Sequence, residues 1–287
     1  VHPPALQSLY TTELDPSCSA VPVVQIVDCA SGEVSVIKDS TAILKRTAPF
    51  LYPKEHAAAI DRWEHTFDGR LGPAVRVYAY EHFMSKPARP VLKRIANHGA
   101  PLIEGWLFSL AIDSGFLEPN MRRFMGISAE SAVRCRADID AIFEEVGAAL
   151  EGGSKEFLVG DTFTAADLTF ASLASPLLDV PHFASVFPSD TFPDELRNTA
   201  VALRATPAGQ HALRCYRDYR FATVACDGKT VVPHASPSAP RRIVLRSGGP
   251  RNNILALAAA AVVVGAPFGL LARRMATGKA SSTGEQH

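Results

Sequence analysis

The most informative polar residues of the chain are an acidic–serine pair, Asp39 and Ser40, that opens a predicted helix. Either residue can cap that helix, since Asp and Ser side chains accept hydrogen bonds from the free N–H groups of the first turn. The same N–H groups and the positive end of the helix dipole attract carboxylates, and a serine hydroxyl adds a donor. The pair is therefore a plain helix cap or part of a site for an anionic group, and the sequence leaves both interpretations open.

A second polar pair, Thr164 and Asp167, has the spacing of a capping box. In that arrangement the threonine hydroxyl accepts a hydrogen bond from the N–H of Asp167, and the carboxylate accepts one from the N–H of Thr164. The helix that follows is apolar on nearly every side, which is typical of a helix at the centre of a core. We therefore predict that this pair stabilises the fold and takes no part in chemistry.

The cysteines and histidines indicate no metal site. The five cysteines contain no C-x-x-C pair, and the histidines lack the spacing of zinc ligands. An odd number of cysteines also argues against a disulfide framework and favours a reducing compartment. Phosphate chemistry has no support, because Gly152 and Gly153 are not followed by the Lys-Ser/Thr of a phosphate-binding loop.

The elements that position these residues fall into two groups. Two β-branched runs, 21–28 and 33–39, predict a β-hairpin directly before the helix at Asp39 and Ser40. After residue 54 the strand patterns end and apolar residues recur at helical spacing. The predicted helices span 54–84, 88–115, 128–151, 164–178 and 194–221.

Residues 254–272 form an uncharged apolar run of 19 residues. As a helix the run is about 28 Å long, close to the ~30 Å hydrocarbon core of a bilayer. The residues before it, 231–252, are rich in Pro, Ser, Gly and Arg, which is typical of a linker. We expect a single transmembrane helix over 253–274 and a short tail at 275–287; a buried Ala-rich core helix is the alternative.

Charge is unevenly distributed along this neutral chain. From position 241 onward there are seven basic residues and one acidic residue, so this tail has a net charge of +6 and the remainder −6. A mildly acidic body repels the phosphate backbone of nucleic acids. No nucleic-acid partner is expected.

Taken in order along the chain, these motifs resemble the glutathione transferase family. The resemblance is carried by Val21-Pro22 at the hairpin, Asp39-Ser40 at a helix start, and the segment 157–167 that ends in the capping box. It covers about residues 1–222. It implies a mainly α fold (α/β + α): a partial thioredoxin-like βαββα domain over 1–50, an all-α bundle over 54–222 and a linker at 223–252 before the transmembrane helix.

The resemblance implies a glutathione site formed by four residues. Pro22 would be a cis-proline that exposes the backbone of Val21 to the cysteinyl part of glutathione. Asp39 and Ser40 would bind the γ-glutamyl end, with Asp39 paired to the ammonium group. Helices of the second domain would line the electrophile site, although aromatic side chains at helical spacing more often belong to a core or an interface. The aromatic residues available are Trp63, Phe67, Tyr78, Tyr80, Trp106 and Phe108.

In this family the activating Ser, Tyr or Cys lies in a strand–helix segment before the Val–Pro turn. Only 20 residues precede Val21, fewer than the roughly 30 that a strand–helix–strand unit needs, so we expect the activating residue outside this chain. The implied function is glutathione binding and transfer of its thiol to an electrophile. The expected protein is a single-pass, C-terminally anchored membrane protein with its body in the cytosol or an organelle interior. The alternative is a catalytically silent subunit of a membrane complex, and a homodimer is also possible.

Overall fold

The computed structural model describes residues 11, 14–15, 17, 21–27, 31–181 and 191–220, and the backbone of 224–226 and 229–231. These residues form a mainly helical fold within the unit Val1–Pro233. The predicted transmembrane run, 254–272, lies outside the described residues. In the described part of the chain, no helix combines the length and the apolar character that crossing a bilayer requires.

The predicted hairpin is confirmed. Strand β1 (Val23–Val27) pairs antiparallel with β2 (Val34–Lys38), and Val23 lies opposite Lys38. Helix α1 (Ser40–Thr47) begins directly after β2. This register brings residues 21–22 and 39–40 to the same end of the hairpin.

The predicted helix over 54–84 is a nearly continuous rod with an internal irregularity. A short 3₁₀ turn precedes α2 (Ala57–Thr66), a π-helical turn (Phe67–Leu71) follows it, and α3 (Gly72–Phe83) continues the rod. A π-helical turn widens the backbone spiral and is frequent at functional sites. The regular apolar spacing that predicts the helix carries no signal for it.

The prediction of single helices over 88–115 and 194–221 is wrong. The first is two helices, α4 (Arg89–Asn97) and α5 (Leu102–Asp113), with Pro101 between them. Proline lacks an N–H donor and disfavours helical conformation in the residue before it, so the apolar spacing continues while the helix does not. The unpredicted α6 (Leu117–Met125) follows α5 after Gly115, whose φ is +73°.

The remaining helices complete the bundle. As predicted, α7 (Ala129–Ala149) and α8 (Ala165–Ala174) form, and a 3₁₀ turn extends α8. Helices α9 (Asp194–Arg204) and α10 (Pro207–Tyr219) replace the single predicted helix, again with a break before a proline. Strand β3 (Val224–Cys226) pairs antiparallel with β4 (Lys229–Val231).

Helix α8 lies at the centre of the core, in contact with α2, α3 and α10. Phe170, on α8, is completely buried, and its ring lies 5.3 Å from the rings of both Phe67 and Phe143. Aromatic rings at this separation contribute about 0.5–1.5 kcal/mol per pair beyond their buried area. The apolar character of α8 on all sides therefore follows from its central place.

Candidate functional site

A cleft of about 600 Å³ lies between the end of the first hairpin and the helices of the bundle. Val21, Pro22 and Ser40 form one end of it. The π-helical turn and α3 form its floor, and α4, α5 and α6 supply the wall at the far end. The apolar side chains of the floor and wall are Val75, Ala79, Phe83, Leu92, Ile95, Ala96, Phe108 and Met121.

The end of the cleft at Ser40 carries both positive and negative electrostatic features. Ser40 is the first residue of α1, where the helix dipole and the free N–H groups favour a carboxylate. Asp68, on the π-helical turn, lines the same part of the cleft. Burial raises the pKa of Asp68, and the negative charge of Asp39 raises it further. Two carboxylates that repel each other beside a helix N-terminus suit a ligand that carries both an ammonium and a carboxylate group.

Asp39 has a demanding backbone conformation. Its φ of 80° lies in the region that favours glycine. A residue with a side chain adopts this conformation at a cost on the order of 1 kcal/mol or more. The side chain compensates in part, because Oδ2 accepts a hydrogen bond from the N–H of Ala42 at 3.1 Å. Asp39 is therefore the cap of the helix that begins at Ser40, a residue that lines the cleft.

Arg76 and Tyr80 add a polar strip to the otherwise apolar floor. They lie one turn apart on α3, and both line the cleft. Burial raises the pKa of Tyr80, although the Arg76 guanidinium opposes that shift. The Tyr80 hydroxyl therefore stays protonated at neutral pH and is a hydrogen-bond donor to a ligand.

A buried glutamate ties the start of α1 to the bundle. Glu64, on α2, is 3% exposed, and its Oε1 accepts hydrogen bonds from the hydroxyls of Tyr52 at 2.9 Å and Thr41 at 3.2 Å. A longer contact of 3.4 Å joins it to the hydroxyl of Thr169 on α8. Because Thr41 directly follows Ser40, this carboxylate positions the helix end that faces the cleft.

Replacing Glu64 with glutamine is expected to change how stability depends on pH. Burial raises the pKa of Glu64 above its ordinary value of 4.5, and its Oε2 has no hydrogen-bond partner among the described residues. A raised folded-state pKa means that the folded state binds the proton of Glu64 more tightly than the unfolded state does. The stabilisation that this proton adds is complete below pH 4.5 and is lost as the pH rises through the folded-state pKa. The free energy of unfolding of the wild type, relative to Glu64→Gln, should therefore rise as pH falls from about 7 to about 4.

Urea denaturation of both proteins at the two pH values measures this difference. Glu55→Gln, at an exposed glutamate shortly before α2, is the matched control for replacing a glutamate that lies outside the buried network. A pH-independent difference for Glu64→Gln would contradict the assignment of a buried carboxylate with a raised pKa.

The structure brings the residues of two sequence motifs to one cleft. Val21, Pro22 and Ser40 line it, and Asp39 caps the adjoining helix. The Val21–Pro22 peptide bond is cis, as the family resemblance implies. Of the aromatic residues considered for the electrophile site, Tyr80 and Phe108 line the cleft.

The other aromatic candidates lie elsewhere. Trp63, Phe67 and Tyr78 are buried in the core, and Trp106 is exposed outside the cleft. The sequence analysis missed Asp68 and Arg76. Their spacing of eight residues places them on one face of a helix together with Gly72 and Tyr80, and that four-residue repeat was the available signal.

The capping box is confirmed and lies in the core, where Thr164 and Asp167 are fully buried. Oδ2 of Asp167 accepts hydrogen bonds from the N–H and the hydroxyl of Thr164, each at 2.9 Å. Oδ1 accepts one from the N–H of Leu158 at 2.9 Å and one from Nε2 of His211 at 3.0 Å. The carboxylate thus joins the loop before α8 to α10.

The sulfur of Cys215 lies 3.6 Å from Nε2 of His211, but this Cys–His–Asp cluster is structural. Burial and the charge of Asp167 raise the pKa of Cys215, so the thiol is not a nucleophile. Nδ1 of His211 lies 3.0 Å from Nη2 of Arg214, which can only donate. Nε2 therefore carries the proton given to Asp167, and the imidazole is not placed to act as a base for the thiol.

The described residues contain no group of three or more His, Cys, Asp or Glu side chains arranged to hold a metal ion. The candidate site is the cleft, which is polar at the Ser40 end and lined by apolar side chains elsewhere. Comparisons with protein-family models, with curated proteins and with solved structures found no match to this chain.

Proposed function

We propose that this chain is a glutathione transferase-like protein that binds glutathione at the Ser40 end of the cleft and presents its thiol to an apolar electrophile. One observation carries the proposal. Pro22 and Ser40 belong to motifs that are 18 residues apart in the sequence, and they border one cleft. The assignment of residues 1–50 as a partial thioredoxin-like domain is part of this proposal.

The polar end of the cleft suits the γ-glutamyl group. That group is a zwitterion, and its carboxylate would accept hydrogen bonds from the Ser40 hydroxyl and the first N–H groups of α1. Its ammonium would lie between the carboxylates of Asp39 and Asp68. The pKa of Asp68, which Asp39 helps to raise, should fall when a cation separates the two carboxylates.

The other parts of the cleft suit the cysteinyl part of glutathione and the electrophilic second substrate. The backbone of Val21 borders the cleft next to Ser40, where the cysteinyl part of the tripeptide would lie. The thiolate would attack an electrophilic carbon, so that a C–S bond forms while a leaving group departs with its electron pair. Phe83, Phe108 and Met121 offer an apolar surface to that second substrate.

Ser40→Ala is expected to weaken glutathione binding by the full chain about tenfold to hundredfold, since a hydrogen bond to a charged group contributes about 1.5–3 kcal/mol. Calorimetric titration with glutathione measures the change. Ser35→Ala, at an exposed serine of β2 away from the cleft, is the matched control and should bind as the wild type does. Equal affinity of Ser40→Ala and wild type, or no binding by either, would refute the proposed site.

A second candidate, a glutathione-binding subunit without transferase activity, would use the same cleft. Burial raises the pKa of Tyr80, so its hydroxyl stays protonated, and a protonated hydroxyl activates a thiol only where it donates a hydrogen bond to the thiolate. Calorimetric binding of glutathione without formation of a conjugate with chlorodinitrobenzene would support that candidate. Conjugate formation would support the transferase.

We further propose that residues 254–272 anchor the protein in a bilayer as one transmembrane helix. The support is the length of the uncharged run, which matches the hydrocarbon core. A homodimer, or a place in a membrane complex, is compatible with this arrangement.

A further inference from the structure

Helix α5 exposes an unusually large apolar face. Leu102, Ile103, Trp106 and Leu110 are 92%, 63%, 65% and 52% exposed. At 100° per residue these four positions fall within an arc of about 100°, so they form one stripe along the helix. We call this stripe the α5 face. Exposed apolar surfaces of this kind mark sites of contact with a protein or a membrane.

The segment around the α5 face has more basic than acidic residues. Glu104, on the same helix, is buried at 7% exposure. Asp113, at the end of the helix, pairs with Lys93 of α4. The segment 86–125, which contains α4, α5 and α6, has six basic and three acidic residues, although residues 1–240 as a whole have a net charge of −6. Arg89 and Arg122 pair with Glu118, and Arg122 also pairs with Glu81, so the apolar stripe belongs to a part of the acidic body that keeps a small excess of positive charge.

We propose that the α5 face lies on the surface of an anionic bilayer, with Trp106 in the interfacial region. Tryptophan favours the boundary between headgroups and acyl chains, and nearby cations attract anionic lipids. A two-fold contact between copies of this chain would instead place two segments of net positive charge against each other. The uncharged run at 254–272 indicates that the same chain is held at a membrane. This inference rests on the proposed anchor at 254–272 and does not depend on glutathione binding.

Tryptophan fluorescence of the full chain tests the proposal directly. The chain has two tryptophans: Trp106 is exposed, and Trp63 is buried and stacked on Phe67 at 5.2 Å. With vesicles containing phosphatidylglycerol, the emission of Trp106 should shift to the blue, and phospholipids brominated on the acyl chains should quench it. Trp106→Phe should lose the quenched component, which assigns the signal to this residue.

Leu102→Glu combined with Ile103→Glu should reduce the fraction of lipid-contacting Trp106 by about tenfold or more, because both apolar side chains leave the lipid. The matched control is Val133→Glu combined with Val201→Glu, two valines that are 72% and 71% exposed on α7 and α9, and its Trp106 should be quenched as in the wild type.

Stronger quenching with phosphatidylglycerol than with phosphatidylcholine alone would support the contribution of the basic residues. If membrane-bound protein shows no quenching of Trp106, the proposal is wrong. Iodide quenching of Trp106 in the absence of lipid gives a further check. If a dimer shields Trp106 from iodide, a second copy covers the α5 face; if a monomer shields it, another part of this chain does. Either result would also overturn the proposal.

Discussion

Asp167→Ala is expected to lower the free energy of unfolding by about 4 kcal/mol. The carboxylate is fully buried and receives hydrogen bonds from two backbone N–H groups, a hydroxyl and His211. Its removal leaves these donors buried without an acceptor, and each such group costs about 1–3 kcal/mol. It also opens a cavity at the start of α8, where the core is tightly filled around Phe170.

Chemical denaturation of Asp167→Ala, Asp167→Asn and wild type measures this loss. Asparagine keeps one acceptor oxygen but turns an NH₂ group toward donors, so we expect an intermediate value. Asp161→Ala is the matched control, because this exposed aspartate lies six residues earlier and should change stability by less than about 0.5 kcal/mol. If Asp167→Ala unfolds within about 1 kcal/mol of the wild type, the network around this carboxylate is not the element that joins α8 to α10.

The same carboxylate affects the cleft at a distance. Helix α8 carries Ser172 and Leu173, which line the cleft, and Thr169, which contacts Glu64 beneath α1. A loosened N-terminus of α8 would therefore shift one wall of the cleft and the support of Ser40 together. Loss of ligand binding in an Asp167 variant reports this shift and gives no proof that Asp167 contacts the ligand.

Local signals in the sequence were sufficient for the parts of the fold and of the site that are contiguous in the chain. The hairpin, the cap at Asp39 and the capping box at Thr164 each depend on residues within a few positions of one another, and the structure contains all three. Their joint placement was expected only through the family resemblance. The local pattern does not predict that residues 22 and 40 line the same cleft as residues 68–83.

The rest of the site depends on contacts between distant residues. Glu64 meets Thr41 on one side and Thr169 on the other, 23 and 105 positions away. The π-helical turn that carries Asp68 leaves the apolar periodicity almost unchanged, so the pattern predicts a plain helix there. The breaks at Pro101 and Pro207 were readable, because a proline inside a helical pattern is a signal in its own right. In both cases the continuous apolar spacing hid that signal.

Gly209→Ala is expected to lower the free energy of unfolding by about 2–3 kcal/mol, because the fold has no space for a side chain at this position. A Cβ atom added to Gly209 would overlap the backbone carbonyl oxygen of Leu203. That oxygen also accepts a hydrogen bond from the hydroxyl of Thr206, whose Oγ1 in turn accepts one from the N–H of Gly209. Relief of the clash requires a backbone shift in the turn between α9 and α10, and this shift would break the cap of α10.

Gly147→Ala separates this steric effect from the intrinsic helix preference of alanine. Gly147 is also a buried helical glycine, in α7, but a Cβ atom there would lie 3.8 Å from the side chain of Pro207, an ordinary contact. Alanine at position 147 should therefore raise the free energy of unfolding by about 0.5–1 kcal/mol, the usual gain over glycine in a helix. Parallel urea titrations of Gly209→Ala and Gly147→Ala should give changes in the free energy of unfolding of opposite sign. That result would show that the close approach of α10 to the end of α9 leaves no space for a side chain at position 209. Since α10 supplies His211 to Asp167, a destabilised Gly209→Ala should also weaken the anchoring of α8, and the losses in Gly209→Ala and Asp167→Ala should then combine to less than their sum.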